Sequence, residues 1–339
     1  MSDRAAGNAF FSKGQYEEAI AIYEKLSSDP AALSNAAEAC LQLRRFEQAE
    51  AFARQALELD ETNSKSRSRL GRALAWQRKA VLAHLVVSVI ADEAERGAAH
   101  QRIVECGDEP HTLYLGKVVV RGNAEGNSEN FGLFASGDML PGELALRERR
   151  ICRFGRGDVI QEDERAKEVL DFLDSSEGQH LDDAIEGIFP RGRGAVAAMK
   201  DRVTELSVGT ERSQSDIWAA AHVFSVIFFS SFEFGLFSVA SLFNHSCSPN
   251  CDIVILDEEK GVLEWRTNRP VLKGQELTFS YLPLDSLCLP VQLRKQLFAK
   301  NWGGFDCACS RCQKESQDGP DKEVTSKVFK KAGEPPCPQ

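Results

Sequence analysis

Along roughly the first 95 residues, apolar and small positions recur at helical spacing around an anchor at Ala19, Ala49 and Ala83, the second interval being 34 residues. Gly7, Ala37 and Gly71 lie twelve residues upstream of these anchors, and Tyr23, Ala53 and Val87 lie four downstream on the same helical face. The pattern predicts three helical hairpins, with a first interval four residues short in the loop after Asp29-Pro30. The small and aromatic positions read as packing, because stacked hairpins bury surface only by interdigitating. From about Thr112 the period changes. YLGKVVVRG, NFGLFAS and GELALRERRICRF carry β-branched or alternating apolar residues separated by Gly, Asn and Pro, and predict strands. Residues 155–215 are polar and charged, with short helices such as DERAKEVLDFLD. An apolar helix, Asp216 to Phe232, then leads back into strands; its most apolar run, Ile217 to Phe229, is too short for the roughly 20 residues that span a bilayer and reads as buried. The expected fold class is α+β: all-α hairpins over 1–105, a mostly-β domain split into 112–154 and 234–283 by a helical insert at 155–233, a helix and cysteine segment at 284–315, and a disordered tail at 316–339 rich in Lys, Pro and Gly.

Composition narrows the function. The 339 residues are 42% hydrophobic and 27% charged, which is the profile of a globular chain with more than one domain. A balance of 41 Lys+Arg against 51 Asp+Glu argues against a general nucleic-acid binder, since phosphate neutralisation needs a basic face, and suits a basic peptide substrate better. Ten cysteines accompany a polar N-terminus, MSDRAAGNAF, without the apolar core of a leader. The expectation is a cytoplasmic or nuclear protein with reduced thiols and no membrane contact, in which clustered cysteines hold metal. Cys307, Cys309 and Cys312 form such a cluster. Alternate residues of an extended segment point to one side, so Cys307 and Cys309 can reach one ion and Cys312 can join after a turn. Three thiolates need a fourth.

The hairpin region resembles tetratricopeptide (TPR) repeats, as in GNAFFSKGQYEEAIAIYEKL and RRFEQAEAFARQALELD. Function in such stacks lies on the concave face. Arg4 and Asn8 stand there one turn apart, with Asn35 opening the second repeat and Lys65 and Arg69 opening the third: cations and amides without carboxylates. Their placement resembles the carboxylate clamp of co-chaperone TPR domains, which implies a heat-shock chaperone tail ending in Glu-Glu-Val-Asp as partner, held by charge-assisted hydrogen bonds. A solvated polar face is the other reading of the same five residues.

Three further segments, FGLFSVASLFNHSCSPNC at 234–251, GQELTFSY at 274–281 and FDCACSRC at 305–312, resemble the SET-domain protein lysine methyltransferases, closest to the SMYD branch, over roughly Leu113 to Cys312. The resemblance implies a methyl donor, S-adenosylmethionine, held by Gly132, Asn244, His245, Tyr281 and Phe305, with Tyr281 catalytic and Phe305 stacking on adenine. A tyrosine suits the role because its hydroxyl can orient methyl and amine without adding a competing nucleophile near neutral pH. Phe243 and Phe279, with Phe305, are available to line a lysine channel. By the same resemblance Cys247 is the fourth ligand of a closed, structural zinc site in a post-SET segment, with Cys251 as the alternative ligand or a buried free thiol.

Two features depart from that family. Asn130-Phe131-Gly132 stands where a Gly-x-Gly is usual, and residues 151–240, with only Cys152, His180 and His222, lack the ligands of a zinc-binding MYND module. Two rival functions follow: a catalytically weak adaptor that recruits chaperones, and a Cys-His hydrolase built from Cys247 and His245.

Overall fold

A computed structural model describes residues 3–106, 111–122, 131–160, 163–176, 178, 181–186, 188, 193–301 and 305–317. Helices α1 (Asp3–Ser12) to α6 (Ala80–Ser88) form three antiparallel pairs, α1 with α2 (Tyr16–Tyr23), α3 (Pro30–Gln42) with α4 (Phe46–Leu59), and α5 (Ser64–Trp76) with α6; α7 (Glu93–Val104) packs behind the last. Two of the small positions read from the periodicity, Gly7 and Gly71, mark close approaches within hairpins. A Cβ placed on Gly7 would stand 2.5 Å from the Tyr23 ring, and one on Gly71 would stand 2.8 Å from Val87. Asp29 caps α3 by accepting from the N–H groups of Ala31 and Ala32 at 2.9 and 3.3 Å, and Asn63 caps α5 by accepting from Ser66 N–H at 3.0 Å. The turn inside each hairpin places one residue in the left-handed region: Gly14 at φ 76°, Arg44 at 57° and Arg78 at 65°. Only the first repeat uses the residue that adopts this conformation without a Cβ penalty.

Among the described residues, eight strands form two four-stranded sheets. One has the order β1-β4-β7-β6, from β1 (Thr112–Leu115), β4 (Leu144–Arg149), β7 (Val262–Thr267) and β6 (Cys251–Asp257), antiparallel throughout. The other has the order β2-β3-β8-β5, from β2 (Val118–Gly122), β3 (Phe131–Ala135), β8 (Glu276–Phe279) and the two-residue β5 (Asn244–His245). β5 runs parallel to β8, with Asn244 opposite Thr278 and His245 opposite Phe279. This register sets two distant sequence segments side by side. Between β4 and β5 lie α8 (Arg156–Ile160), α9 (Asp163–Asp174), α10 (Leu181–Ile185), α11 (Arg193–Leu206) and α12 (Gln214–Ser230); α9 coincides with DERAKEVLDFLD, and α12 is the buried apolar helix. No described helix is long and apolar enough to cross a membrane. After β8 come α13 (Leu284–Leu287), α14 (Val291–Asn301) and α15 (Ser310–Gln317). The expected disordered tail lies outside the described residues except for Ser316 and Gln317, which end α15.

Helices and sheets share one core. Val81 of α6 is buried among Leu115, Val118 and other apolar residues of the sheets and the helices that follow them. Charged contacts rim that junction: Lys79 pairs with Glu186 at 3.0 Å, and Glu93 pairs with Arg121 at 3.2 Å and Lys273 at 3.0 Å. Between α6 and α7, His84 and His100 are fully buried with their Nδ1 atoms 2.8 Å apart, and neither Nε2 has a hydrogen-bond partner among the described residues. Burial, first, holds both imidazoles well below the ordinary value, His84 at about 3.

Candidate active site and thiolate centre

The approach to Asn244 is fixed from below by Glu148, a fully buried carboxylate on β4. It accepts from Val239 N–H at 3.0 Å, Ala240 N–H at 2.8 Å and Thr112 Oγ1 at 2.6 Å, so a 3-10 turn over Val239–Leu242 is clasped immediately before β5. Asn244 Nδ2 then donates to the Phe131 carbonyl at 3.1 Å and to Glu276 Oε1 at 2.7 Å. Burial raises the Glu276 carboxyl, with the Asn244 bond opposing it. Asn250 ties the same strands by accepting from Thr278 N–H at 2.7 Å.

Tyr281 follows β8. Its backbone N–H donates to His245 Nδ1 at 3.0 Å, and its hydroxyl donates to the Phe243 carbonyl at 2.8 Å. Burial, with Glu276 adding repulsion, pushes its phenol well above the ordinary value, so it stays a protonated, neutral donor. Because a backbone N–H can only donate, His245 Nδ1 is the acceptor and Nε2 carries the ring proton. Nε2 therefore donates to Cys247 Sγ, 3.2 Å away. Burial also lowers His245, to about 4. A neutral imidazole whose proton already faces the sulfur cannot activate that thiol, and Cys247 is 2% exposed; the hydrolase geometry fails for this reason.

Around His245 stand Phe298 at 4.7 Å, Tyr281 at 5.3 Å and Phe305 at 6.2 Å between ring centroids. Phe305 keeps 39% of its surface exposed and so offers a face to a planar guest, whereas Phe298 is fully buried. Of the residues expected to line a channel, Phe279 is partly buried beside Phe232 at 5.5 Å. Phe243 corrects the expectation: the residue is 1% exposed and its ring stacks on Trp265 at 5.9 Å in the core, while its backbone carbonyl accepts from the Tyr281 hydroxyl. Gly132 sits in regular β3 pairing opposite Arg121, while Asn130, the departure from the usual glycine, lies outside the described residues.

Cys247, Cys307, Cys309 and Cys312 come together with their sulfurs all within 4.8 Å of one another. Cys247 Sγ lies 3.5 Å from Cys312 Sγ and 4.0 Å from Cys307 Sγ. Four thiolates at about 2.3 Å from a tetrahedral zinc stand at similar separations, so the donor set fits that ion and leaves no open position. Cys251 is elsewhere, fully buried in β6, with burial pushing its thiol up to about 12.

The concave face of the hairpins holds a bonded chain. Asn8 Oδ1 accepts from Tyr23 hydroxyl at 2.7 Å and Asn35 Nδ2 at 3.0 Å, and Arg69 Nη1 reaches Asn35 Oδ1 at 3.4 Å. The expectation of a face without carboxylates is corrected. Arg4 is paired with Asp29 at 2.8 Å, and Glu38, one turn beyond Asn35, bridges Arg69 at 3.0 Å and Arg72 at 2.9 Å. Burial alone would raise Glu38, but the two guanidiniums hold it below the carboxylate range. Lys65 is exposed and has no partner among the described residues. Sequence reasoning missed Glu148, Glu276, Phe298 and Glu38. The first three have no local pattern, but Glu38 at helical spacing from Asn35 was legible.

The chain carries a SET domain preceded by tetratricopeptide repeats. The SET domain family matches residues 130–282, and the tetratricopeptide repeat family matches 5–28 and 30–63. Among curated relatives, mouse histone-lysine N-methyltransferase SMYD3 is 42% identical over 84 residues, 25% of this chain, and human protein-lysine N-methyltransferase SMYD4 is 37% identical over 82 residues, 24% of this chain. The matches span only 18% and 10% of those proteins' lengths. Among solved structures, the second TPR domain of human RPAP3 in complex with the HSP70 peptide SGPTIEEVD is 27% identical; 30% of this chain and 92% of that one are covered, at a TM-score of 0.27.

Proposed function

We propose that this protein is a lysine methyltransferase acting on a protein substrate, with S-adenosylmethionine as donor, structural zinc in the four-cysteine site and a cytoplasmic or nuclear setting. The observation that carries the reading is the meeting of Tyr281 and Phe305, from two other segments, at His245, with Asn244 beside it in β5 and the Tyr281 hydroxyl bonded to the Phe243 carbonyl. Asn244, His245 and Phe305 would hold the cofactor, with Asn244 oriented by its bonds to the Phe131 carbonyl and Glu276. When bound, the cofactor supplies an electrophilic methyl on sulfur. The chain's part is placement. Tyr281 hydroxyl and Phe243 carbonyl set two oxygens 2.8 Å apart that can accept weak C–H hydrogen bonds and orient an amine. The high phenol value keeps Tyr281 from competing as a nucleophile or acting as a base. Phe279 and Phe305 are placed to favour a neutral lysine amine over its ammonium.

The test is methyl transfer from labelled S-adenosylmethionine to a cell extract depleted of small molecules. Tyr281→Phe should lower labelling about 100-fold while leaving the circular dichroism unchanged. Labelling equal to wild type would remove Tyr281 from the reaction. The hairpin groove supports a second role, binding a partner tail with C-terminal carboxylates: Asn8 and Asn35 are already oriented by Tyr23 and Arg69, and Lys65 is unpaired among the described residues. A peptide ending in Glu-Glu-Val-Asp, titrated against the protein and Lys65→Ala, tests it; equal affinity for both would count against the clamp.

A further inference from the structure

Against the four cysteines lies a cation that the methyl-transfer reading does not use. Arg294, in α14, has no exposed surface. Its Nε donates to Cys247 Sγ at 3.2 Å, and its Nη2 donates to Cys312 Sγ at 3.4 Å and Glu315 Oε2 at 2.8 Å, while Nη1 donates to the Leu289 carbonyl. The other Glu315 oxygen accepts from Arg311 Nε at 2.7 Å, and Arg311 Nη1 donates to the Cys247 carbonyl at 3.0 Å. One side of the cluster thus faces positive charge. Among the described residues no cationic side chain is hydrogen-bonded to the sulfurs of Cys307 or Cys309, and Cys309 is partly exposed.

Burying a guanidinium costs several kcal/mol unless strong acceptors face it, and neutral thiols are weak acceptors. Thiolates are strong ones, and four of them around a divalent ion leave an excess of negative charge. We propose that Arg294 is a positioning residue of the metal centre: it holds Cys247 and Cys312 as shielded thiolate ligands and leaves Cys309 as the sulfur that a soft electrophile reaches first. With an alkyl halide as the electrophile, the Cys309 sulfur would attack the carbon, forming the S–C bond as the C–halogen bond breaks and halide leaves, and a metal held there would keep three cysteine ligands. The proposal rests on the metal reading of the cluster.

The experiment uses the full chain purified with zinc. Limiting iodoacetamide followed by peptide mass spectrometry should modify Cys309 before Cys247 and Cys312. Zinc transfer to a coloured chelator should be about 10-fold faster for Arg294→Met than for wild type, with Arg294→Lys in between because it keeps the charge and loses the fork. Modification of Cys247 or Cys312 first in wild type, or equal zinc release from wild type and Arg294→Lys, overturns the proposal even if Arg294→Met does not fold. Wild-type protein that binds no zinc would remove the metal reading as well.

Discussion

Acidification should destabilise the fold, and the histidine pair buried between α6 and α7 sets how much. His84 on α6 and His100 on α7 have no exposed surface and, among the described residues, their rings bond only each other. The folded pKa of His84, about 3, lies below its ordinary 6.5. For a base, a depressed folded pKa means that the unfolded chain binds more protons between those values, so stability falls as pH drops through 6.5 and the loss ends near 3. From pH 7.5 to 5.0 the unfolded state gains RT ln[(1+10^1.5)/(1+10^−1)], about 2 kcal/mol for His84, with His100 adding in the same direction. The assay is urea unfolding by circular dichroism at pH 7.5, 6.5 and 5.0, with zinc present, for wild type and the double variant His84→Leu/His100→Leu. Removing both members of an incompletely bonded polar pair should leave stability at pH 7.5 unchanged or higher. The variant should lose at least about 2 kcal/mol less than wild type on going to pH 5.0, because every other titrating group is common to both. Identical pH dependence would show that the imidazoles are not held neutral in the folded protein, and the reasoning would fail.

Glu148→Gln sets an amide opposite two backbone N–H groups and a hydroxyl, so unfolding free energy should drop by about 2 kcal/mol, read by denaturant melts, with methyl transfer reduced because the turn before Asn244 loosens. Gly7→Ala drives a Cβ toward the Tyr23 ring and should cost about 1–3 kcal/mol by thermal unfolding, whereas Arg78→Gly relieves a left-handed residue and should stabilise by roughly 0.5–1 kcal/mol. Glu38→Gln frees two guanidiniums in the groove and should tighten binding of a peptide ending in Glu-Glu-Val-Asp by about 1 kcal/mol, roughly fivefold by calorimetry.

What the chain's own order determined follows from short-range periodicity. A Gly or Ala at fixed spacing from an aromatic or β-branched residue specifies a hairpin, and the structure sets the Gly7 backbone under Tyr23 and that of Gly71 under Val87. Strand segments, the apolar helix α12 and the cysteine spacing were legible for the same reason: helix and strand periods and ligand spacing act within a few residues. Tertiary structure decided what those segments do to one another. Parallel pairing of β5 with β8 brings His245 to Tyr281 across 36 residues. The tautomer of His245 is then set by a backbone N–H that no motif displays. Phe243 turned into the core because Trp265, on a different strand, offered a stacking face, and Glu148 found its donors 91 and 92 residues away. The same holds for Arg294, one of three cations in α14 by sequence, whose role comes from sulfurs that the fold delivers from two other segments. Buried polar groups must be satisfied wherever they lie, so their partners are chosen by proximity in space, which periodicity does not encode.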